Sequence, residues 1–588
     1  MRRALVLFLF LVLPVRAQEE TWAEVFIGEG KAGYLHDVVE KTADGWKTRQ
    51  EMKITMNRMG QDVVIESDIE QIETADLKPV RIKVHMLMGP QPTEIVGTIE
   101  GETLTLDVTT AGATQTMTMP WEEGAILPDA QAARSIMREK GFAPGTKYSY
   151  RQFSPDTGKF ATTEIEVIGP EKVETMGVAT DTTKIKSTLV ELGMVTTAWV
   201  DANATPVKSY LKMLDMTTVR STKEAALGTP TGETADIMQM VSPRVKGLVP
   251  HPRRVTEALY AITLQAGDAS KIAFPNQTVE KTEGKTSWLR VKNGAATTIV
   301  NRPVPATPEL EEYLRSNSYL QSADPEMVAA ANEAIGGEEN ALAAAKKLER
   351  WAHEGITSKN MDVAFATASE VLKSREGDCS EHAVLLAALA RAAGIPSKVC
   401  TGFLYIGGHF GGHAWTSVWV GEWVDLDATL GGEWTDAMRL KFGESHLNGS
   451  GMAEQMGEMY KALAGIDVQV LEVIRDGKTE NIEARPWWSV DGKTVKHSLG
   501  FSFDVPDGWT VLPEDQVPVA SVVALQGKTA DDRIQVIYDD CAAGRPVEVP
   551  EIPAGQATVL ALDDAAQVIF LARSLDAAAA LKSLNPRK

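Results

Sequence analysis

Between about Glu20 and Ala226 the chain reads as one strand after another, and no other feature limits its fold as strongly. Apolar and polar residues alternate in Met52-Lys53-Ile54-Thr55-Met56 and in Thr103-Leu104-Thr105-Leu106-Asp107-Val108, the period of a strand with one buried face. Pro90, Gly101, Gly112 and Pro155-Asp156-Thr157-Gly158 break the pattern at short intervals, as hairpin turns do. One short helical interruption is expected, Asp129 to Lys140. So many strands in succession predict a large antiparallel sheet, over residues 18–227, curved around an apolar filling.

At 588 residues the chain exceeds what one hydrophobic core serves, so further units are expected. Residues 228–306 read as a linker and a short β segment. Gly228-Thr229-Pro230-Thr231-Gly232, Pro243, Pro250 and Pro252 mark the linker, and Ala261-Ile262-Thr263-Leu264 and Ser287-Trp288-Leu289-Arg290-Val291 mark the strands. Pro303, Pro305 and Pro308 then precede a helical region. There Ala341, Ala344, Ala345, Leu348 and Ala352 recur at three- and four-residue steps, a single buried stripe, with Lys346, Lys347, Glu349 and Arg350 elsewhere on the wheel. From 467 to 588 the pattern is α+β, with strands around Phe501-Ser502-Phe503-Asp504-Val505 and Arg533 to Tyr538 and an Ala-rich helix near Leu575 to Leu584.

Charge and compartment narrow the function. With 59 basic against 80 acidic residues, the net charge of -21 repels polyphosphate and excludes nucleic acid as the main ligand. Arg2 and Arg3, the apolar run Leu5 to Leu13 and the small residues Val15 and Ala17 predict a signal peptide over residues 1–17, and with it a periplasmic or extracellular protein. No later stretch reaches the ~20 apolar residues of a membrane helix, so no transmembrane segment is expected. Three cysteines, Cys379, Cys400 and Cys541, make no disulfide framework. Cys400 and Cys541 are expected to be inert core thiols, their pairing being the alternative.

Cys379 differs. It sits in Gly377-Asp378-Cys379-Ser380-Glu381-His382-Ala383, ahead of a helical run with Leu385, Leu386, Leu389 and Ala393 as its buried stripe, which Gly394-Ile395-Pro396 ends. A thiol at a helix start meets the positive end of the helix dipole, which favours thiolate. Backbone N–H groups there could also receive an oxyanion. His382, one turn along, is expected to pack or hydrogen-bond locally.

His413-Ala414-Trp415 and Trp423-Val424-Asp425-Leu426-Asp427-Ala428-Thr429 follow, with Gly421-Glu422 as a turn between two strands. Strand parity decides between the two aspartates. His413 and Asp427 share a face if Trp415 stands opposite Asp427, which needs an odd turn such as Val420-Gly421-Glu422. His413 is then the diagonal neighbour of Asp427, about 7–8 Å away between backbones, while Asp425 lies further along. Asp427 is therefore the expected partner of the imidazole.

These motifs, with Ala368-Ser369-Glu370-Val371-Leu372 and Arg391-Ala392-Ala393-Gly394-Ile395-Pro396, resemble the transglutaminase-like superfamily, whose core is similar to that of papain-type cysteine proteases. The resemblance runs from about Leu310 to Ser450 and departs at Ala428, where many relatives carry proline. It implies Cys379 as nucleophile, His413 as base and Asp427 as its orienter, in a catalytic α+β domain at 307–450. Ala198-Trp199-Val200-Asp201 and Pro206-Val207-Lys208 resemble the closing strands of bacterial lipoprotein-carrier half-barrels. The fold expected is thus multi-domain: an N-terminal antiparallel β half-barrel-like domain, a papain-like α+β core and a C-terminal α+β domain.

Cys379, His413 and Asp427 match no dense zinc-ligand spacing, and neither metal nor cofactor is expected. Parity puts Trp415, Trp419 and Trp423 on the histidine's face; Trp415 is the candidate for lining a substrate groove, the other two for core. Gly407-Gly408 and Gly411-Gly412 around His409-Phe410 fit either a loop over the cleft or a plain connection. The function expected is an exported thiol enzyme that takes the acyl group of a peptide or protein amide through a thioester, peptidase- or amidase-like. Protein cross-linking, or non-catalytic binding of peptide or lipid, are the alternatives.

Overall fold

The computed structural model describes residues 18–588 apart from 59–60, 89–91, 111–112, 156, 232–235, 237–240, 265–271, 294–295, 297, 299, 359–365, 432–434, 448–464, 530–531, 541–555 and 564–565. The expected signal peptide and Cys541 lie outside the described residues. The protein is mostly β and built of several sheets, with a small helical region between 325 and 392.

Residues 18–221 form a 14-stranded antiparallel sheet. Its first strand, Gln18–Ile27, pairs with its last, Met216–Ser221, in a register that sets Val25 opposite Thr218. From that central pair the strands follow chain order outward in both directions, so the edges are Ala113–Pro120 and Lys147–Ser154. The stretch that joins these edges supplies the filling. Its Leu127 and Ala130 pack with Ile82, Val84, Leu104 and Leu106 of one half and with Phe153 of the other. Its helix, Gln131–Lys140, sets Met137 against Ile165, Val167 and Ile185. Burying that apolar area, with Ile126 bridged to the Lys147–Ser154 edge, holds the open sheet together.

The next sheet differs from the expected division of the chain. Val255–Leu264 pairs with Thr286–Lys292 on one side and with Ile466–Arg475 on the other, Ala261 standing between Trp288 and Gln469. The strand expected to open the C-terminal unit thus belongs to a sheet begun some two hundred residues earlier, and the helical region lies between its halves. The expected linker is docked as well: Val245 N donates to Gly408 O (2.9 Å) and Phe410 N to Pro243 O (2.8 Å).

Four helices follow, Pro325–Ile335, Ala341–Gly355, Ala368–Ser374 and Cys379–Ala392. Every residue from Ser380 to Arg391 is buried, so this helix is enclosed on all sides rather than along the one stripe expected. It packs on an antiparallel sheet ordered Trp423–Leu426, His409–Trp419, Ser397–Ile406, Arg439–Ser445. Gly407 and Gly408, at φ 53° and 88°, form the two-residue turn between the middle strands. Glycine tolerates both positive φ values, as this tight hairpin demands. The loop-over-cleft reading is therefore corrected: His409 and Phe410 are paired and buried.

Residues 488–581 are α+β as expected, with a three-stranded sheet, a five-stranded sheet and the helix Leu575–Leu581. Among the described residues no helix is long and apolar enough to cross a membrane.

Candidate active site

The start of the Cys379 helix is built by its own sequence. Asp378 is the N-cap, its Oδ1 accepting from Ser380 N at 2.9 Å, and Glu381 reaches back to accept from Asp378 N at 3.0 Å, a capping box. Glu381 also accepts from Ala366 N at 3.0 Å, tying the incoming chain to the helix. Gly377 is required here: at φ 149° it lies under Glu381, whose Cβ would stand 2.3 Å from an added Cβ. Burial raises the Glu381 carboxyl above its ordinary range, and the neighbouring Asp378 raises it further. Cys379 itself is half-buried. Ser380 N is occupied by the cap, so it is not available as an oxyanion donor. His382 Nδ1 lies 2.6 Å from Asp378 O, the local hydrogen bond expected of it.

Helix and sheet run side by side. Ser397, paired with Val418, donates from Oγ to Ala387 O at 2.7 Å, and Thr416 donates from Oγ1 to Ala383 O at 2.9 Å. One helical turn, about 6 Å, therefore matches two strand residues, about 6.6 Å. The same step once more sets Cys379 level with Ala414, beside His413. Alternation turns Ala414, Thr416 and Val418 toward the helix and His413 and Trp415 to the other face. Pairing with the Asp427 strand stops at Thr416–Leu426, so the His413 strand has lost that neighbour where it reaches the level of Cys379.

The register between these strands is the expected one, with Ser417 opposite Asp425, Trp419 opposite Trp423 and Val420-Gly421-Glu422 as the turn. Asp427 follows the last paired residue and accepts from His413: Nε2 to Oδ2 is 2.8 Å. Nδ1 is left as the other ring nitrogen. Asp425 pairs instead with Lys441 (3.0 Å) and accepts from Asn276 (3.1 Å). Burial works against an Asp427 carboxylate, but the charges of His413 and Arg439 outweigh it and hold the carboxyl well below its usual range.

Three groups around Asp427 escaped the sequence reading. Arg439 donates to its Oδ2 at 2.5 Å. Glu349, expected on an exposed part of its helix, is 1% exposed and accepts from Asp427 N at 2.9 Å. His353, one turn further, bonds Ala428 O at 2.8 Å. Burial lifts the Glu349 carboxyl to about 8, with the Asp427 charge adding to the rise, so a neutral acid backs an anionic one. The only signal in the sequence was spacing, since Glu349 and His353 lie one turn apart on a common helix face.

Trp415 is not on an open groove. It is 1% exposed, lies 6.1 Å from His413 with the rings nearly parallel, and so backs the imidazole. Trp419 and Trp423 meet edge to face at 5.6 Å near the turn, both half-buried. Cys400 is a free, buried thiol, its pKa raised by burial, as expected of an inert core cysteine. Among the described residues no group of three or more His, Cys, Asp or Glu side chains is placed to hold a metal ion.

A thiol heading a buried helix, level with a histidine bonded to aspartate on an antiparallel sheet, defines a thiol–imidazole class of candidate site. Residues 328–428, which contain all three, match the transglutaminase-like superfamily model, and the chain carries a transglutaminase-like domain. No curated protein matches the chain. Among solved structures it is similar to a "Putative Cysteine Protease" from Cytophaga hutchinsonii, with 17% identity over 40% of this chain and 91% of that one, at TM-score 0.25. It is also similar to a "putative protease" from Parabacteroides distasonis, with 13% identity over 84% and 93%, at TM-score 0.15. A beta-barrel-like protein of unknown function from Brucella abortus matches with 12% identity over 34% and 94%, at TM-score 0.28.

Proposed function

We propose that the protein is an exported thiol hydrolase of amide bonds, with Cys379 as nucleophile, His413 as general base and Asp427 as its orienter. The observation that carries this reading is the His413 Nε2–Asp427 Oδ2 hydrogen bond, which points Nδ1 away from the carboxylate, on a strand that runs level with Cys379. His413 takes the thiol proton, Sγ adds to the amide carbon, and the protonated imidazole returns the proton to the leaving amine, giving a thioester. Water activated by the same imidazole then releases the acid and regenerates the thiol. The sequence marks no lysine-binding acceptor site, which favours water as the acceptor. The signal-peptide pattern of residues 1–17 supports export of the mature protein to the periplasm or outside the cell.

Alkylation of Cys379 with iodoacetamide at pH 7 tests the reading, comparing wild type with Cys379→Ala and His413→Ala. Labelling of Cys379 well above the rate of a free thiol, lost in His413→Ala, is expected. Labelling at the free-thiol rate, insensitive to His413→Ala, would overturn it.

A further inference from the structure

We propose that Arg439 is a positioning residue for the His413–Asp427 pair, itself fixed by Asp436 and Arg253. The proposal rests on the reading of His413 as base. Asp427 is gripped at every polar atom it can offer on this side: Oδ2 receives His413 Nε2 at 2.8 Å and Arg439 at 2.5 Å, Oδ1 receives Thr429 N at 3.0 Å, and its own N–H is held by Glu349. Arg439 in turn donates to Asp436 Oδ2 at 3.3 Å. Arg253 donates to the same Oδ2 at 2.6 Å, while Asp436 Oδ1 accepts from Met438 N at 2.8 Å. Arg253 also bonds Tyr405 O, and its own N–H is held by Asp540 Oδ2 at 2.8 Å. From the carboxylate that His413 meets, the chain Asp427–Arg439–Asp436–Arg253 thus alternates in charge to the segment 251–254 and on to the C-terminal sheet.

Stability alone does not explain this arrangement. Arg439, Asp427 and Asp436 are each no more than 5% exposed, and Arg439 Nε is buried without a hydrogen-bond partner. Burying charges costs about as much as pairing returns, and an orphaned N–H adds to the cost. What the guanidinium supplies is geometry. The planar, permanently charged guanidinium bridges Asp427 Oδ2 and Asp436 Oδ2, and so holds in place the oxygen that His413 meets while Thr429 N holds Oδ1. With Oδ2 fixed on Nε2, the proton of the neutral imidazole stays on Nε2 and Nδ1 stays the acceptor. Glu349 of the helix Ala341–Gly355 also meets Asp427, at its N–H, and a carboxyl does not substitute for a cation at Oδ2.

The test uses the full-length protein with ¹⁵N-labelled histidine, assigning His413 by its loss in His413→Ala. Arg439→Met should mix the His413 tautomer signals and slow Cys379 alkylation at pH 7 by about tenfold or more, as loss of an outer support does. Arg439→Lys should recover part of both, and Asp436→Asn should fall between. A merely structural role would lower the melting temperature of Arg439→Met and leave the tautomer unchanged; that result, or a wild-type tautomer in folded Arg439→Lys and Asp436→Asn should Arg439→Met not fold, overturns the proposal. If wild-type Cys379 proves unreactive, the hydrolase reading falls while the tautomer response still decides the role of Arg439.

Discussion

Two aspartates two residues apart have opposite duties here, and the difference is one of partners. Asp427→Asn should lose most Cys379 reactivity, because an amide in place of Oδ2 can present N–H to Nε2 and favour the wrong tautomer. Asp425→Asn should keep most of it while lowering the melting temperature, since Lys441 is left buried with Glu444 as its remaining acid. Alkylation rates and thermal unfolding of the two variants check both halves. Glu349 gives a pH prediction. Its carboxyl rises from 4.5 to about 8 on folding, so the folded state holds more protons than the unfolded between those values. Stability from this group is full below about 4.5 and declines as pH rises through about 8. Glu349→Gln keeps the acceptor for Asp427 N–H without ionising, so its melting temperature should gain on wild type as pH rises from 5 to 8. Glu349→Leu should instead cost about 1–3 kcal/mol by orphaning that N–H. The choice of Asp427 was legible in sequence because strand parity is arithmetic. Arg439 and Glu349 were not, because a charged residue on a helix wheel or strand is read as exposed unless its distant partner is known.

The Cys379 helix depends on one glycine for its start. Gly377→Ala would place a Cβ 2.3 Å from the Glu381 Cβ at a φ that side chains avoid, so the capping box must open. A loss of about 1–2 kcal/mol in urea unfolding, with slower Cys379 alkylation, is expected. Gly377→Ala with both unchanged would show that the box does not organise the thiol. The positions of helices and strands were readable here because caps, apolar periodicity and the glycine–proline stop coincide around residues 378–396. The sequence around Gly407-Gly408 reads as a loop because His409-Phe410 and a second glycine pair follow, although two glycines between β-rich runs are themselves a turn signal.

The chain's units are less separable than its composition suggests. Strand succession over 18–227 was legible, but the pairing of the first strand with the last was not, since neither carries a mark of its partner. The same holds for Val255–Leu264 and Ile466–Arg475. A fragment of residues 241–465 should therefore be unstable, leaving the edge of Val255–Leu264 bare, whereas one extended to 482 should unfold at higher urea. Limited proteolysis and urea titration of the two fragments distinguish this from independent folding. The joined sheet also dictates an order of events. On a chain made from its N-terminus, Val255–Leu264 has no second neighbour until residues beyond 466 have emerged, and closing so long a loop is slow. The thiol helix is thus synthesised before the scaffold beneath its sheet is complete, and the last step to finish should be the one that brings His413, Asp427 and Arg439 to rest. Fast alkylation of Cys379 should not appear on a nascent chain until then, a built-in delay between making the thiol and completing its surroundings.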